Sequence, residues 1–348
     1  MGVMSHSYRN QYRAATRRRR AAGFSLIELL VAITIGAVLI FGATQVYVDS
    51  RNSYAVSESV ARLQETARYA LSVIEPDVRM SNYWGLLKGA NLVAGQAGQT
   101  AAVSGLAGTT GTQCGQNFAV DLVTTLEGSD NAYSLVCAAS GTGAVVSADT
   151  LTVRRVSTVQ STLPVTDKTA LRVCSSRIGG TVVKDVSACT GLPSGSVNDL
   201  IVHSYYVDRD SDEQPGLPAL RRWALTQAND FHDDEMVAGV EDMQIQFGID
   251  PTGTSGVATQ YVNAVGPATL PLTNQIVAVR IWLLVRSETL ETGFTDNRVY
   301  EYGDRAIATG KTSDLNAAGA AGKAYAPKDH FRRLLVSRTI MIRNALGT

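Results

Sequence analysis

Four consecutive arginines, Arg17 to Arg20, run into an apolar stretch that a single carboxylate interrupts, and no other part of the chain restricts the fold as strongly. The segment reads RRRR-AAGFSLIELL-VAITIGAVLI-FGATQVYV and ends at Val48. From Phe24 to Phe41 it covers about 18 residues, and to Val48 about 25, enough for a helix across the hydrocarbon core of a bilayer. Arg9 and Arg13 also lie upstream, and no acidic residue precedes Glu28. Positive charge on that side keeps the N-terminus cytoplasmic and sends the rest of the chain across.

Glu28 is the anomaly. A carboxylate deep in a membrane helix costs roughly 2.5–3.5 kcal/mol even on lenient insertion scales. A cleaved secretory signal would need a small-x-small site after the apolar run. Phe41-Gly42-Ala43-Thr44 offers none, because Phe41 spoils cleavage after Ala43 and Thr44 spoils cleavage after itself. A plain anchor has no use for an acid in its first apolar turns.

Gly23-Phe24-Ser25-Leu26-Ile27-Glu28 resembles the cleavage motif of type IV prepilins, the class III signal that pili share with type II secretion pseudopilins. The resemblance implies that a prepilin peptidase cuts between Gly23 and Phe24 on the cytoplasmic side and N-methylates Phe24. The apolar run is then retained. Glu28 would lie one helical turn, roughly 6 Å of rise, from a newly made cation. That pairing, within a subunit or between neighbours, turns a membrane liability into an assembly register.

The chain has 348 residues, 45% of them apolar, enough for one anchored domain of moderate size. Its formal charge is zero, but residues 1–23 hold six arginines, so the remainder carries 25 basic against 31 acidic residues. A mildly acidic exported domain disfavours a nucleic-acid binder. Cys114, Cys137, Cys174 and Cys189 all lie on the exported side, where an even number reads as two disulfides with three connectivities open. Pairing of sequence neighbours, Cys114 with Cys137 and Cys174 with Cys189, is the expectation because it closes short loops. Zinc is disfavoured, with no C-x-x-C spacing and no histidine nearby.

Helical periodicity continues past the membrane run. Val56, Val60, Leu63, Ala67, Ala70 and Ile74 form one apolar stripe, and Glu58, Arg62, Glu65 and Arg68 lie on the other face. Pro76 predicts an end or kink near Glu75, giving a helix of about 52 residues or ~78 Å. Residues 89–117 read as a long surface loop and Ser313–Pro327 as a second flexible insert. Strands are predicted at Phe118–Leu126, Tyr133–Ala138, Thr150–Ser157, Leu171–Ser175, Leu200–Val207, Ala219–Leu225 and Phe331–Arg343. Two more carry clear alternation, one through Met243, Ile245, Phe247 and Ile249 and one through Val277, Val279, Ile281, Leu283 and Val285, each with one core face. Arg338 breaks the apolar face of the last strand, which predicts a bulge or a buried ion pair. The expected fold is α+β: a long N-terminal helix packed on an antiparallel sheet. The expected division is leader 1–23, membrane or fibre-core helix 24–48, amphipathic helix 49–85 and exported β-rich domain 86–348.

Ala61-Arg62-Leu63-Gln64-Glu65-Thr66-Ala67-Arg68-Tyr69-Ala70-Leu71, then Asp77-Val78-Arg79-Met80 and Tyr83-Trp84-Gly85, resemble the helix end of the PilW family of minor pilins. Val240 to Gly248 and the closing strand from Arg332-Arg333 to Arg343-Asn344 are similar to that family as well. The match covers the first 85 residues well and the sheet in patches. Leu86 stands where relatives often carry a cysteine, so no family disulfide map transfers. The resemblance implies a low-abundance subunit that joins other minor pilins in a complex priming polymerisation, sits at the fibre tip with a large adhesin-like partner, and is extruded from the inner membrane by an assembly platform onto which the major pilin follows. Adhesion or twitching motility is the expected output, with no cofactor and no catalytic residue. The nearest alternative is a type II secretion pseudopilin of the J type. A more distant one is a surface binding module, for DNA or a host ligand, on a pilin anchor.

Asp208, Asp210 and Asp212 alternate as in a calcium loop, but Glu213 takes the place of the glycine and Ala219 that of the closing glutamate, so a solvated hairpin tip is the stronger reading. His232-Asp233-Asp234-Glu235 reads as an acidic loop with too few ligands for a metal. Arg221, Arg222, Arg332, Arg333, Arg338 and Arg343 could line a basic patch for DNA, a reading that sparse aromatics disfavour. No nucleophile elbow, phosphate loop or H-E-x-x-H spacing occurs.

Overall fold

The structure is a computed structural model and describes residues 23–97, 114, 117–161, 169–185, 189, 195–264, 276–317 and 322–345. The leader up to residue 22, most of 98–116 and part of the second insert lie outside the described residues. One helix, α1, spans Leu26–Arg79. By its contacts the chain divides into two compact units, residues 1–57 and 58–348.

In the first unit, α1 buries nothing. Leu26 is 76% exposed, Ile40 70% and Phe41 74%, and the other apolar side chains between them are exposed as well. A helix apolar on every face belongs in lipid or in a bundle of its own kind.

The second unit begins with the amphipathic part of α1. Leu63, Ala67, Ala70, Leu71, Ile74 and Val78 are buried there, the expected stripe from Leu63 onward extended by one turn, while Val56 and Val60 are only half-buried. The helix runs through Pro76 to Arg79 rather than ending at Glu75. Pro76 lacks the amide proton that would reach Ser72, a loss its surroundings offset. The Met80 amide donates to the Pro76 carbonyl at 3.1 Å, and the Glu75 carboxylate pairs with Arg338. Fully burying each Ile, Leu or Val of this stripe contributes about 1.5–3 kcal/mol.

The strands are β1 (Val93–Ala94), β2 (Leu126–Ser129), β3 (Thr150–Gln160), β4 (Arg172–Ser175), β5 (Gly180–Val183), β6 (Ser196–Asp208), β7 (Ala219–Leu225), β8 (Phe231–Ala238), β9 (Val240–Ile249), β10 (Gln260–Asn263), β11 (Ile276–Arg286), β12 (Ala306–Thr312), β13 (Lys323–Tyr325) and β14 (Arg333–Met341). The larger sheet runs β1-β5-β4-β6-β3-β2, with β7 also paired to β6 and β8 to β7. A four-stranded antiparallel sheet runs β10-β9-β11-β14, and β12 pairs with β13. Both larger sheets contribute to the core beneath α1, through Leu151, Tyr205 and Leu220 from one and Phe247, Val279 and Ile281 from the other.

Several expectations are corrected. Tyr133–Ala138 is irregular, and of Phe118–Leu126 only Leu126 enters a strand, behind a 3-10 turn at Phe118–Val120. The carbonyls of Phe118 and Thr124 are taken by the buried Arg154 guanidinium, at 3.0 and 2.8 Å, instead of a neighbouring strand. The presumed loop at His232–Glu235 is the middle of β8. Val93 and Ala94 form a strand within the first presumed loop, and β13 lies within the second. β9 buries both faces, since Gln244 donates to the Ser147 carbonyl at 3.0 Å. Arg338 makes no bulge. β14 pairs with β11 without a register shift, and the arginine forms a half-exposed ion pair with Glu75.

The disulfides join Cys114 to Cys137 and Cys174 to Cys189, as sequence adjacency predicts. By loop closure alone, such cross-links contribute about 3 kcal/mol each.

Asp77 fastens the end of α1 to the sheet. Its carboxylate accepts from Arg155 Nη2 at 2.7 Å, His203 Nδ1 at 2.5 Å and the Tyr205 hydroxyl at 2.5 Å, reaching β3 and β6 at once. Burial pushes this carboxyl upward. The hydrogen bond and charge of the His203 ring, then the Arg155 guanidinium and the Tyr205 hydroxyl, outweigh that and hold it well below the usual carboxylate range. A depressed folded value stabilises the fold above the ~3.9 of an unfolded aspartate, and the contribution drains away as pH falls toward the folded value. We therefore expect Asp77→Asn to lower stability at neutral pH by about 3–5 kcal/mol and to shift the acid-unfolding midpoint, measured on the full chain in detergent. An unchanged acid limb would contradict the clamp.

Candidate functional site

Two places carry the chemistry that the sequence singles out, the start of α1 and the arginine-rich margins of the sheets. At the first, Gly23 to Ser25 are extended and exposed, and the helix begins at Leu26 with the Leu29 amide donating to the Ser25 carbonyl at 3.1 Å. Glu28 falls in the first helical turn, where the partial positive charge of the helix N-terminus favours a carboxylate. Its side chain is exposed. A Cβ built on Gly23 would meet nothing within 4 Å among the described residues, so their packing demands no glycine there.

The structure disperses the presumed basic patch. Arg333 is wholly buried and bound by Glu241 at 2.9 Å and Asp329 at 2.7 Å. Arg332 makes a bidentate pair with Glu291 at 2.7 Å through both nitrogens, and Arg338 is taken by Glu75. Arg221 is held by Asp212 at 2.6 Å and Asp233 at 3.1 Å, and Arg222 lies 3.9 Å from Asp234. Arg343 stays exposed at the far end of the chain, and its backbone amide donates to the Arg79 carbonyl.

The same pairs explain β8. Asp233 and Glu235 face Arg221 across the β7–β8 hairpin, so a run of acids becomes the inner face of a strand. The signal was available in sequence as Arg221-Arg222 set against Asp233-Asp234-Glu235 across the turn at Thr226–Asp230.

The Asp208–Asp212 segment is a clamped hairpin tip. Asp210 accepts from the Thr142 hydroxyl and from the Gly216 amide at 2.6 Å, and those donors lower its carboxyl. Asp212 is turned away onto Arg221. Burial pushes Asp208 up to about 6. Among the described residues no group of three histidine, cysteine or acidic side chains could hold a metal ion.

Comparison with known proteins finds two family likenesses. The prokaryotic N-terminal methylation motif matches residues 18–44, and the family described as type IV pilus-assembly protein W matches residues 204–344. The chain carries the sequence marks of a type IV pilin, a prepilin signal near its start and a match to the PilW family over its C-terminal part. Its prepilin signal and apolar helix anchor it in the inner membrane, and processing by the prepilin peptidase leads into an extracellular pilus with other pilins. The match to the PilW family spans the end of β6 and β7 to β14, which includes the whole four-stranded sheet. Among solved structures, a type IV-like pilin from Thermus thermophilus aligns over 57% of this chain and 80% of its own at 15% identity, with a TM-score of 0.27. No curated protein matches.

Arg332, Arg333 and Arg338 are each paired with an acid, which leaves Arg343 as the exposed arginine of the presumed patch without an acid partner among the described residues. A double Arg332→Ala, Arg338→Ala variant is expected to retard DNA in gels no differently from the unaltered protein. Weaker retardation by the variant would restore the basic-patch reading.

Proposed function

We propose that this pilin is a minor subunit of a type IV pilus, part of the tip complex that primes polymerisation and supports adhesion or twitching motility. It acts as a structural subunit rather than an enzyme. The observation that carries this reading is an uncovered apolar helix with one acid in its first turn, directly behind a glycine that packing among the described residues does not require. The demand for that glycine then lies in the peptidase that reads it, with cleavage between Gly23 and Phe24 and methylation of Phe24.

Assembly follows from electrostatics. Cleavage creates an amine about one helical turn from Glu28, and in a low-dielectric surrounding an ion pair at that range is far stronger than in water. In lipid the pair neutralises the acid, and in the fibre it sets the offset between neighbouring helices. The folded domain supplies lateral specificity for other minor pilins, for the major pilin that follows on the assembly platform, and for a large tip adhesin.

Glu28→Ala is expected to insert and be processed normally but to incorporate poorly into fibres, read by immunoblot of sheared pili against the membrane fraction. Gly23→Leu should accumulate as uncleaved precursor. Normal incorporation of Glu28→Ala would remove the register argument, while cleavage of Gly23→Leu would remove the processing argument.

A further inference from the structure

The four-stranded sheet has a second face, the reverse of the one that enters the core through Phe247, Val279 and Ile281. Strand pairing sets Asn263, Gln246, Arg280 and Thr339 opposite one another, one each from β10, β9, β11 and β14. Residues matched across strands share a face, so these four side chains form one row about 14 Å long. Trp282 stands two residues along β11 on that face, and Tyr261 two residues along β10. Thr339 is exposed and the other five are half-buried.

Arg280 is the centre of this row. Its guanidinium carbon lies 3.8 Å from the centre of the Tyr261 ring and 5.7 Å from that of Trp282, and its Nε donates to the Thr339 hydroxyl at 3.3 Å. Gly248 makes the stack possible. A Cβ there would stand 3.0 Å from the Tyr261 ring and 2.8 Å from Ala258 Cβ, so a side chain would push the tyrosine off β9. Four arginines lie on the strands of this sheet. Arg286, Arg333 and Arg338 each face a carboxylate, whereas Arg280 forms no ion pair among the described residues. The connection at 265–275, outside the described residues, contains no acid in its sequence. Stacking on aromatic rings holds a guanidinium by its flat sides and leaves its in-plane N–H groups for a ligand. Further along the row, Gln246 donates to Asn263 Oδ1 at 3.3 Å, and Asn263 donates to Asp130 Oδ2 at 3.3 Å. An uncompensated cation is therefore followed by two amides and then by an acid.

We propose that this face binds an acidic saccharide, a sugar ring that carries a carboxylate and is joined to neutral sugars. Charge complementarity selects the anion: its carboxylate pairs with the Arg280 guanidinium, whose fork matches a planar anion. The apolar face of the same ring rests on Trp282, whose indole offers apolar area beside a polar edge. The neutral sugars run over Gln246 and Asn263, amides that exchange hydrogen bonds with hydroxyls. Asp130 at the end of the row repels a second anion. That order of charges disfavours a nucleic acid, which needs several cations along successive phosphates. The inference goes beyond the assembly role proposed for Glu28 and stands on different residues, so either can fail alone.

The test is fluorescence titration of the full chain in neutral detergent micelles with sialyllactose and, separately, glucuronyl-xylose, with lactose as the uncharged control. Trp84 and Trp223 are buried, so quenching reports on Trp282. At least one acidic sugar is expected to bind saturably in roughly the 0.1–1 mM range, with no response to lactose up to about 10 mM. Arg280→Gln should weaken binding about tenfold or more. Arg62→Gln, which removes the same charge from α1, should bind as before. If Arg280→Gln does not fold, Arg280→Lys carries the comparison, with affinity expected to fall several-fold because an ammonium lacks the fork and the flat stack. Failure of both acidic sugars up to about 10 mM would overturn the site. So would equal binding of lactose, undiminished affinity in the Arg280 variants, or an equal loss in Arg62→Gln. Oligothymidylate bound through Arg280 in place of the sugars, or self-association that Arg280→Gln abolishes, would give the face to another occupant and overturn it as well.

Discussion

An apolar helical surface that its own chain leaves uncovered dictates the life history of this protein. From Phe24 to Val48 the side chains that would form a core in a soluble domain are exposed on all sides. Leaving a leucine or isoleucine in water forgoes about 1.5–3 kcal/mol, so the segment requires lipid or other helices like itself. A pilin uses both in turn. The helix that dissolves in the inner membrane is the helix that packs in the fibre, and one sequence satisfies both because the two surroundings make the same demand, apolar contact without water. Glu28 is the exception to that demand, and so marks where specificity enters.

The other end of the same helix is governed by polar contacts. Asp77 binds a guanidinium, an imidazole and a phenol from two strands, and immediately beyond it Tyr83-Trp84-Gly85 turns the chain into the larger sheet. Trp84 is wholly buried and donates to Asn82, which in turn reaches the carbonyl of Asn344. Gly85 has φ 71°, and a side chain there would collide with Ser175. The helix end, the sheet and the C-terminal strand are therefore fixed by one short segment. A pull on the domain would be transmitted to α1 through buried ionic contacts rather than through a loose loop.

The parts of this architecture legible in sequence are those governed by periodicity. The stripe from Leu63 to Ile74, the alternation in β9 and β11, and the limits of β7 follow from spacing alone, and sequence adjacency was enough for the disulfides. What could not be read is what depends on a distant partner. β8 looks like a loop because Asp233 and Glu235 are acids, and it becomes a strand only opposite Arg221. Pro76 looks like a terminator, yet the helix passes it because Asp77 and Glu75 are held from outside. Phe118–Thr125 has strand composition, but Arg154 takes its carbonyls. Arginine is the common factor: its fork satisfies backbone and carboxylate groups across long sequence separations, which no local pattern announces.

The account stands or falls on what becomes of the N-terminus. Intact-mass and peptide mass spectrometry of the protein recovered from sheared fibres addresses it directly. The account predicts a chain that begins at Phe24, carries a methyl group on its amine and retains the whole apolar helix. A chain that begins at Met1, or one that begins beyond Phe41 with the helix removed, would contradict it.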